Sequence, residues 1–191
     1  MTDIYLDVTV YRGGTIDEPT QPLNIDTVDK LIIDHTTGIA SHYEIKALDW
    51  YDEYQGVIDA GDIIEITLGE AADNALQLRG RVFNVKFKDE ILTLTGQDWT
   101  YNVLGNKVTK RYGGQDYGFI MRDLITQYCT SLKTDFLFDT GFIMDERYSG
   151  KYQDLLFVMN EVTGRIDHEW RVRADRQVIH YPDGLHIQFI D

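Results

Sequence analysis

Five histidines, one cysteine and 32 carboxylates are the side chains from which this 191-residue chain could build chemistry, and their spacing decides which chemistry is open to it. His168-Glu169 holds the first two residues of a helical zinc-hydrolase motif. The second histidine one turn further on is missing, and the pair stands in a run that reads as a strand. His180 and His186 could chelate an ion across a hairpin, but no carboxylate cluster accompanies them, and strand histidines so placed are ordinarily surface or half-core residues. Cys129 would need a histidine and an electropositive pocket to act as a nucleophile; on the flank of an apolar helix stripe it reads as a small buried residue. A lone cysteine also excludes an internal disulfide framework and a multi-cysteine zinc site. The glycine pairs Gly13-Gly14 and Gly113-Gly114 lack the rest of any phosphate-loop or dinucleotide pattern, and no serine elbow occurs. The expectation is a protein without catalytic, metal or cofactor residues.

One segment carries more. Trp50-Tyr51-Asp52-Glu53-Tyr54 sets three aromatics beside two acids, a combination that can stack on a sugar ring while carboxylates bind hydroxyls or cleave the linkage. The same composition suits a protein contact or a cap over the end of a core, so Trp50, Tyr51 and Tyr54 are candidate interface residues as well. Asp49-Trp50 and Asp98-Trp99 repeat a dipeptide, but one recurrence is no propeller repeat and reads as a feature of strand ends.

Charge narrows the partners. With 18 basic and 32 acidic residues the formal charge is −14, which argues against affinity for a nucleic-acid backbone. The excess is uneven: residues 1–105 hold 19 acids and 7 bases, whereas 106–191 hold 13 and 11. No run is apolar enough to span a membrane, and Met1-Thr2-Asp3 lacks the opening of a secretory signal, so a soluble product is expected.

These candidates must be positioned by a β-rich first half. Ile4, Leu6, Val8 and Val10 share one strand face, and further short strands are predicted at Leu31-Ile33, Tyr43-Ala47, Ile63-Leu68, Leu78-Phe87 and Ile91-Thr95. The core is expected from Ile64, Ile66, Leu68, Phe83, Val85, Leu92 and Leu94, with a tight turn at Lys88-Asp89-Glu90. Six antiparallel strands without a helical period suggest a small barrel or sandwich.

From Asp116 the period changes. Tyr117, Ile120, Met121, Leu124, Tyr128 and Leu132 form one helical stripe that Asp116 could cap. A second helix is predicted from about Lys151, with Tyr152, Leu155, Leu156, Met159 and Val162 on one face, Ser149 as cap and Gly164 as stop. Strands follow at Glu169-Val172, Gln177-Tyr181 and Leu185-Phe189, with turns at Ala174-Asp175-Arg176 and Pro182-Asp183-Gly184. The reading is mainly β with an α+β second half: a small antiparallel β-barrel over 1–105, then a two-helix α/β segment over 106–191. Lys107, Lys110, Arg111 and Gly113-Gly114 form a basic connector at the junction.

Glu44-Ile45-Lys46-Ala47-Leu48-Asp49, Ala60-Gly61-Asp62 leading into Ile63-Gly69, Arg79-Gly80-Arg81-Val82 and Leu92-Thr93-Leu94-Thr95-Gly96-Gln97-Asp98 resemble, in order and spacing, the first barrel of the baseplate hub and tail-tip proteins of long-tailed phages. The two helices and the Trp170 to Tyr181 hairpin resemble the α/β segment that follows it. In that family a second barrel usually comes next; this sequence stops at Asp191 without one, which implies an N-terminal part or a short hub. The resemblance implies no catalytic residues here. It implies a homotrimeric adaptor joining a tail tube or distal tail protein to a spike or fibre, made in the host cytoplasm and carried in the virion tail, with no membrane anchor and no specific nucleic-acid binding. In such a ring Lys107, Lys110 and Arg111 would attract the acidic first half of a neighbouring subunit, while Trp50, Tyr51 and Tyr54 anchor the contact.

Overall fold

The computed structural model describes residues 5–13, 20–34, 38–69, 76–145 and 148–182. These divide into two compact units, the first built from described residues of 5–34 and 41–98, the second from 38–40 and 99–182. The longer stretch of the second unit begins at Trp99.

The first unit is a single antiparallel sheet. Its strands are β1 (Tyr5–Tyr11), β2 (Pro22–Asn24), β3 (Val28–Asp34), β4 (His42–Leu48), β5 (Ile63–Gly69), β6 (Leu76–Lys88) and β7 (Ile91–Asp98). They run in the order β2-β1-β5-β6-β7-β4-β3 and curl into a half-barrel. Alternation along β4 and β7 turns Tyr43, Ile45, Ala47, Leu92 and Leu94 into the core, where they meet Val8, Val10, Ile64 and Ile66. Asp89 and Glu90 both take positive φ, 53° and 62°, the twist a two-residue hairpin needs between Lys88 and its partner Ile91. Ile4 lies outside the described residues.

The sheet has one strand more than sequence predicts, and that strand explains the curl. β2 is three residues long and begins with Pro22, which an edge strand tolerates because no ladder donor is lost. It pairs with β1, while β3 at the opposite end of the order pairs with β4. Only Ile25–Thr27 separates them. Ile25 N donates to the Val8 carbonyl at 2.8 Å and Leu48 N to the Thr27 carbonyl at 3.0 Å, so the linker itself bonds to both flanks.

Phe83 is a correction. Strand alternation places it in the core, but it is 45% exposed, because a bulge between Val82 and Asn84 inserts one residue opposite β7. Leu78 and Val82 face inward before the bulge, and Val85 and Phe87 pack partly against the core after it. Leu68 is half-buried; Ile64, Ile66, Leu92 and Leu94 are buried as expected.

The second unit opens with a 3-10 helix (Trp99–Val103), then β8 (Lys107–Tyr112), α1 (Tyr117–Tyr128), β9 (Tyr148–Asp154), α2 (Leu155–Gly164), β10 (His168–Val172) and β11 (Val178–Pro182). α1 matches its predicted stripe: Asp116 Oδ1 accepts from Gly118 N at 2.6 Å and Phe119 N at 3.4 Å, and Ile120, Met121, Leu124 and Ile125 are buried. The basic connector is a strand, since Val108 and Tyr112 alternate inward and the segment pairs with β9. The start of the second helix moves too. Residues 148–154 are extended, the helix begins at Leu155, and Tyr152 sits at a bulge with φ 53° and 75% exposure. The cap position is Asp154, whose side chain makes no capping bond, so Ser149 is not the cap. The strand predicted at Leu185-Phe189, with His186, lies outside the described residues.

Candidate interaction sites

The aromatic loop after β4 is built on a buried aspartate. Asp49 N donates to the Glu90 carbonyl at 2.8 Å, and Asp49 Oδ1 accepts from Tyr54 N at 3.2 Å. Asp52, at φ 54°, turns the chain back between them. Tyr54 is 3% exposed and packs with Ile58 in the core, so it is an anchor of the loop and unavailable to a partner. Trp50 and Tyr51, 60% and 82% exposed, are the presented pair. Both copies of the repeated dipeptide stand at strand ends with the aspartate buried, but the tryptophans differ: Trp50 faces out, whereas Trp99 is buried and donates through Nε1 to the Ala174 carbonyl at 3.0 Å.

The three basic candidates on β8 differ in what occupies them. Lys107 Nζ binds Asp154 Oδ1 at 2.6 Å and lies over the Tyr152 ring. Lys110 Nζ binds Asp123 Oδ2 at 2.6 Å, where the Tyr112 hydroxyl also donates at 2.6 Å, while Gln127 Nε2 donates to the other oxygen at 2.7 Å. Burial alone would raise the Asp123 carboxyl, but these bonds and the Lys110 charge outweigh it and lower its pKa. Tyr112, buried beside that carboxylate, has its phenol pKa raised by burial and by its bond to Asp123. Lys107 and Lys110 are thus committed within their own unit, and Arg111 is presented on the exposed face of the strand.

A site that the sequence motifs do not disclose lies on the β10–β11 hairpin. Trp170 pairs with His180 and His168 with Pro182, so the two histidines are diagonal neighbours on one face. Their Nδ1 atoms are 3.1 Å apart and the rings stack with centroids 5.3 Å apart. The register could have suggested the pair, because a turn at Ala174-Asp175-Arg176 brings 168 and 180 together, whereas spacing along the chain matches His180 with His186. His180 Nε2 contacts the Phe138 carbonyl at 3.0 Å, and the Phe142 ring stands edge-on to His168 at 6.5 Å.

Those phenylalanines belong to a loop that presents apolar surface: Phe138 is 66% and Phe142 54% exposed, with Ile143 beside them. Tyr117 N holds its Phe142 carbonyl at 3.1 Å, Arg122 bonds the Leu137 carbonyl and Asp139, and Asp116 fastens its middle. Besides capping α1, that carboxylate accepts from Thr140 N at 3.0 Å, the Thr140 hydroxyl at 3.1 Å and Gly141 N at 2.8 Å. Burial alone would raise its pKa, but the bonds from Thr140, Gly118 and Gly141 prevail and hold it below the usual carboxylate range.

Cys129 closes α1, and its Sγ donates to the Asn102 carbonyl at 3.2 Å. Burial pushes its thiol up, away from the thiolate a nucleophile requires. Among the described residues, no three histidine, cysteine or acidic side chains converge on a point that could hold a metal ion, and no helix is long and apolar enough to cross a membrane.

The fold is shared with solved structures of tail proteins, two of them from prophages. The 43 kDa tail protein of prophage MuSo2 from Shewanella oneidensis superposes with a TM-score of 0.65 at 11% identity, covering 92% of this chain and 53% of its own. A tail protein from Neisseria meningitidis gives 0.66 at 10%, covering 93% and 51%, and prophage tail protein gp18 from Listeria monocytogenes 0.62 at 7%, covering 92% and 50%. The chain therefore spans about half the length of each of these solved structures. No family model matches the sequence, and no curated protein is detectably similar to it.

Proposed function

We propose that this chain is a structural, non-enzymatic component of a phage-like tail: a hub or adaptor that joins the tail tube or distal tail protein to a spike or fibre as a homotrimer. The observation that carries the reading is the fold shared over at least 92% of the chain with three tail proteins, two of them from prophages. A curled sheet makes a rigid block, and a cyclic assembly needs repeated patches on such blocks. Trp50 and Tyr51 supply exposed aromatic anchors, and Arg111 an exposed cation, for contacts between blocks. The test is mass by light scattering at low and high salt, alone and with the tail-tube and spike proteins of the same particle. A trimer is expected with those partners present; a protein that stays monomeric at high concentration beside them defeats the hub reading.

The exposure of Trp50 and Tyr51 next to Asp52 and Glu53 favours a second reading, a glycan-binding or glycan-cleaving tail module. Titration with soluble oligosaccharides, followed by the loop tryptophan's fluorescence and by product analysis, separates the two.

A further inference from the structure

The aromatic loop of the second unit is fastened by the Asp116 carboxylate, by Tyr117 N on the Phe142 carbonyl at 3.1 Å, by Arg122 on Leu137 and Asp139, and by the histidine pair, and Asp116 and the histidines respond to acid differently. We propose that His168 and His180 form a proton-operated latch that holds the exposed loop at Phe138 and Phe142 when the pair carries at most one added proton and gives up one of these two contacts when both rings are charged. This inference stands apart from the tail-hub reading and rests on the geometry of the hairpin and the loop.

The bonding pattern dictates the tautomers. A backbone carbonyl only accepts, so His180 Nε2 carries the hydrogen that reaches Phe138 at 3.0 Å. In neutral His180 the other nitrogen, Nδ1, is then a bare acceptor, and His168 Nδ1 must be the donor across the 3.1 Å contact. One added proton leaves the latch closed: His180 donates from both nitrogens, and His168 changes tautomer to accept at Nδ1. A second proton sets N–H against N–H between two cations, and one ring must leave. If His180 leaves, it gives up the Phe138 carbonyl; if His168 leaves, it gives up the edge of Phe142.

The surroundings fix the order of events. Burial and the neighbouring His180 lower the pKa of His168, against the weaker pull of Asp167 toward its charged form. Glu169 and Tyr181 pair with each other on the opposite hairpin face, and Tyr117 of α1 lines the same small recess as His180. Asp139 follows Phe138 in the loop and is bonded to Arg122. Asp116, with its lowered pKa, stays ionised where the histidines titrate, so acid opens the latch and leaves the loop's root in place.

Long-range nitrogen–proton spectra of the imidazoles, recorded on the intact chain, read each ring nitrogen directly. At about pH 7.5 the expected pattern is hydrogen on Nε2 of His180 and on Nδ1 of His168. On titration to about pH 4.5, the second protonation of the pair should coincide with amide shifts at Phe138, Asp139 and Phe142, while the Gly118, Phe119, Thr140 and Gly141 amides, which bond Asp116, keep their protection factors. His168→Asn and His180→Ala should each abolish the coupled step. Two independent titrations with the loop amides unmoved, or His180 bearing its hydrogen on Nδ1 at neutral pH, would overturn the latch. Both of these outcomes are read on the unmodified protein, so neither depends on the variants folding.

Discussion

The Tyr43 side chain crosses directly over Gly96 on the neighbouring strand: a Cβ at position 96 would lie 2.1 Å from the Tyr43 hydroxyl and 2.0 Å from the Arg81 carbonyl. That hydroxyl donates to the Arg81 carbonyl at 2.8 Å, and its burial raises the phenol's pKa. The contact ties β4 to β6 across β7, and only a residue without a side chain lets it form.

Gly96→Ala should therefore cost at least ~1–3 kcal/mol in urea unfolding, the range for overpacking a filled core. Tyr43→Phe should cost about 0.5–1.5 kcal/mol, one net hydrogen bond. The clash with Arg81 persists in the double variant, so the two losses should couple only in part; strict additivity would contradict the packing described.

The bulge in β6 makes a sharp contrast testable. Phe83→Ala should change stability by less than about 1 kcal/mol, as substitutions away from the core do, whereas Leu92→Ala should cost ~2–5 kcal/mol. Equal losses at the two positions would return Phe83 to the core. In the loop after β4, Tyr54→Ala should cost ~3–5 kcal/mol, and Trp50→Ala or Tyr51→Ala should leave the melting temperature in place.

Asp116 serves a helix and a loop at once. Asp116→Asn keeps one carbonyl acceptor but turns an amide donor toward Gly141 N or Thr140 N, so it should lose more than the ~0.5–2 kcal/mol typical of a cap. Because its folded pKa is lowered, the stability it contributes is fully present above its unfolded value of 3.8 and disappears as pH falls through the folded value. A stability profile of the Asn variant that retains the same acid slope below pH 4 would refute that role.

Lys110→Met should lower stability by about 1 kcal/mol, since it leaves the half-buried Asp123 without its cation. Arg111→Ala should leave unfolding unchanged and alter only the salt dependence of self-association or partner binding. If Arg111 matters to folding and Lys110 does not, the division between committed and presented cations is wrong.

Strands whose two faces differ in polarity are readable because period two survives in Tyr43-Glu44-Ile45-Lys46-Ala47 and Ile91-Leu92-Thr93-Leu94-Thr95. β8 is hidden because Lys-Val-Thr-Lys-Arg-Tyr carries just two inward side chains amid basic residues that look like a linker. β9 passes for a helix start because Tyr152 falls at helical spacing from Leu155 and Met159, and a bulge is invisible to periodicity. The same blindness misplaces Phe83. The Asp116 cap is legible locally, yet its second task is not, since Thr140 and Gly141 reach it from 24 and 25 residues away.

The three-residue span Ile25–Thr27 has a bearing on how the first unit comes into being. β1 with β2 and β3 with β4 are outermost pairings of one sheet, but the chain between β2 and β3 is too short to bridge the ends of a flat one. Each of these hairpins is local in sequence, but joining them into one sheet waits on β5, β6 and β7, which supply the distant ladders Val10 with Ile64 and Ile45 with Leu94. Closure is thus the last act of a search among remote partners, which sets a slow, all-or-none assembly on the millisecond-to-second scale of high-contact-order sheets. An insertion that lengthens the span should speed that search while loosening the curl.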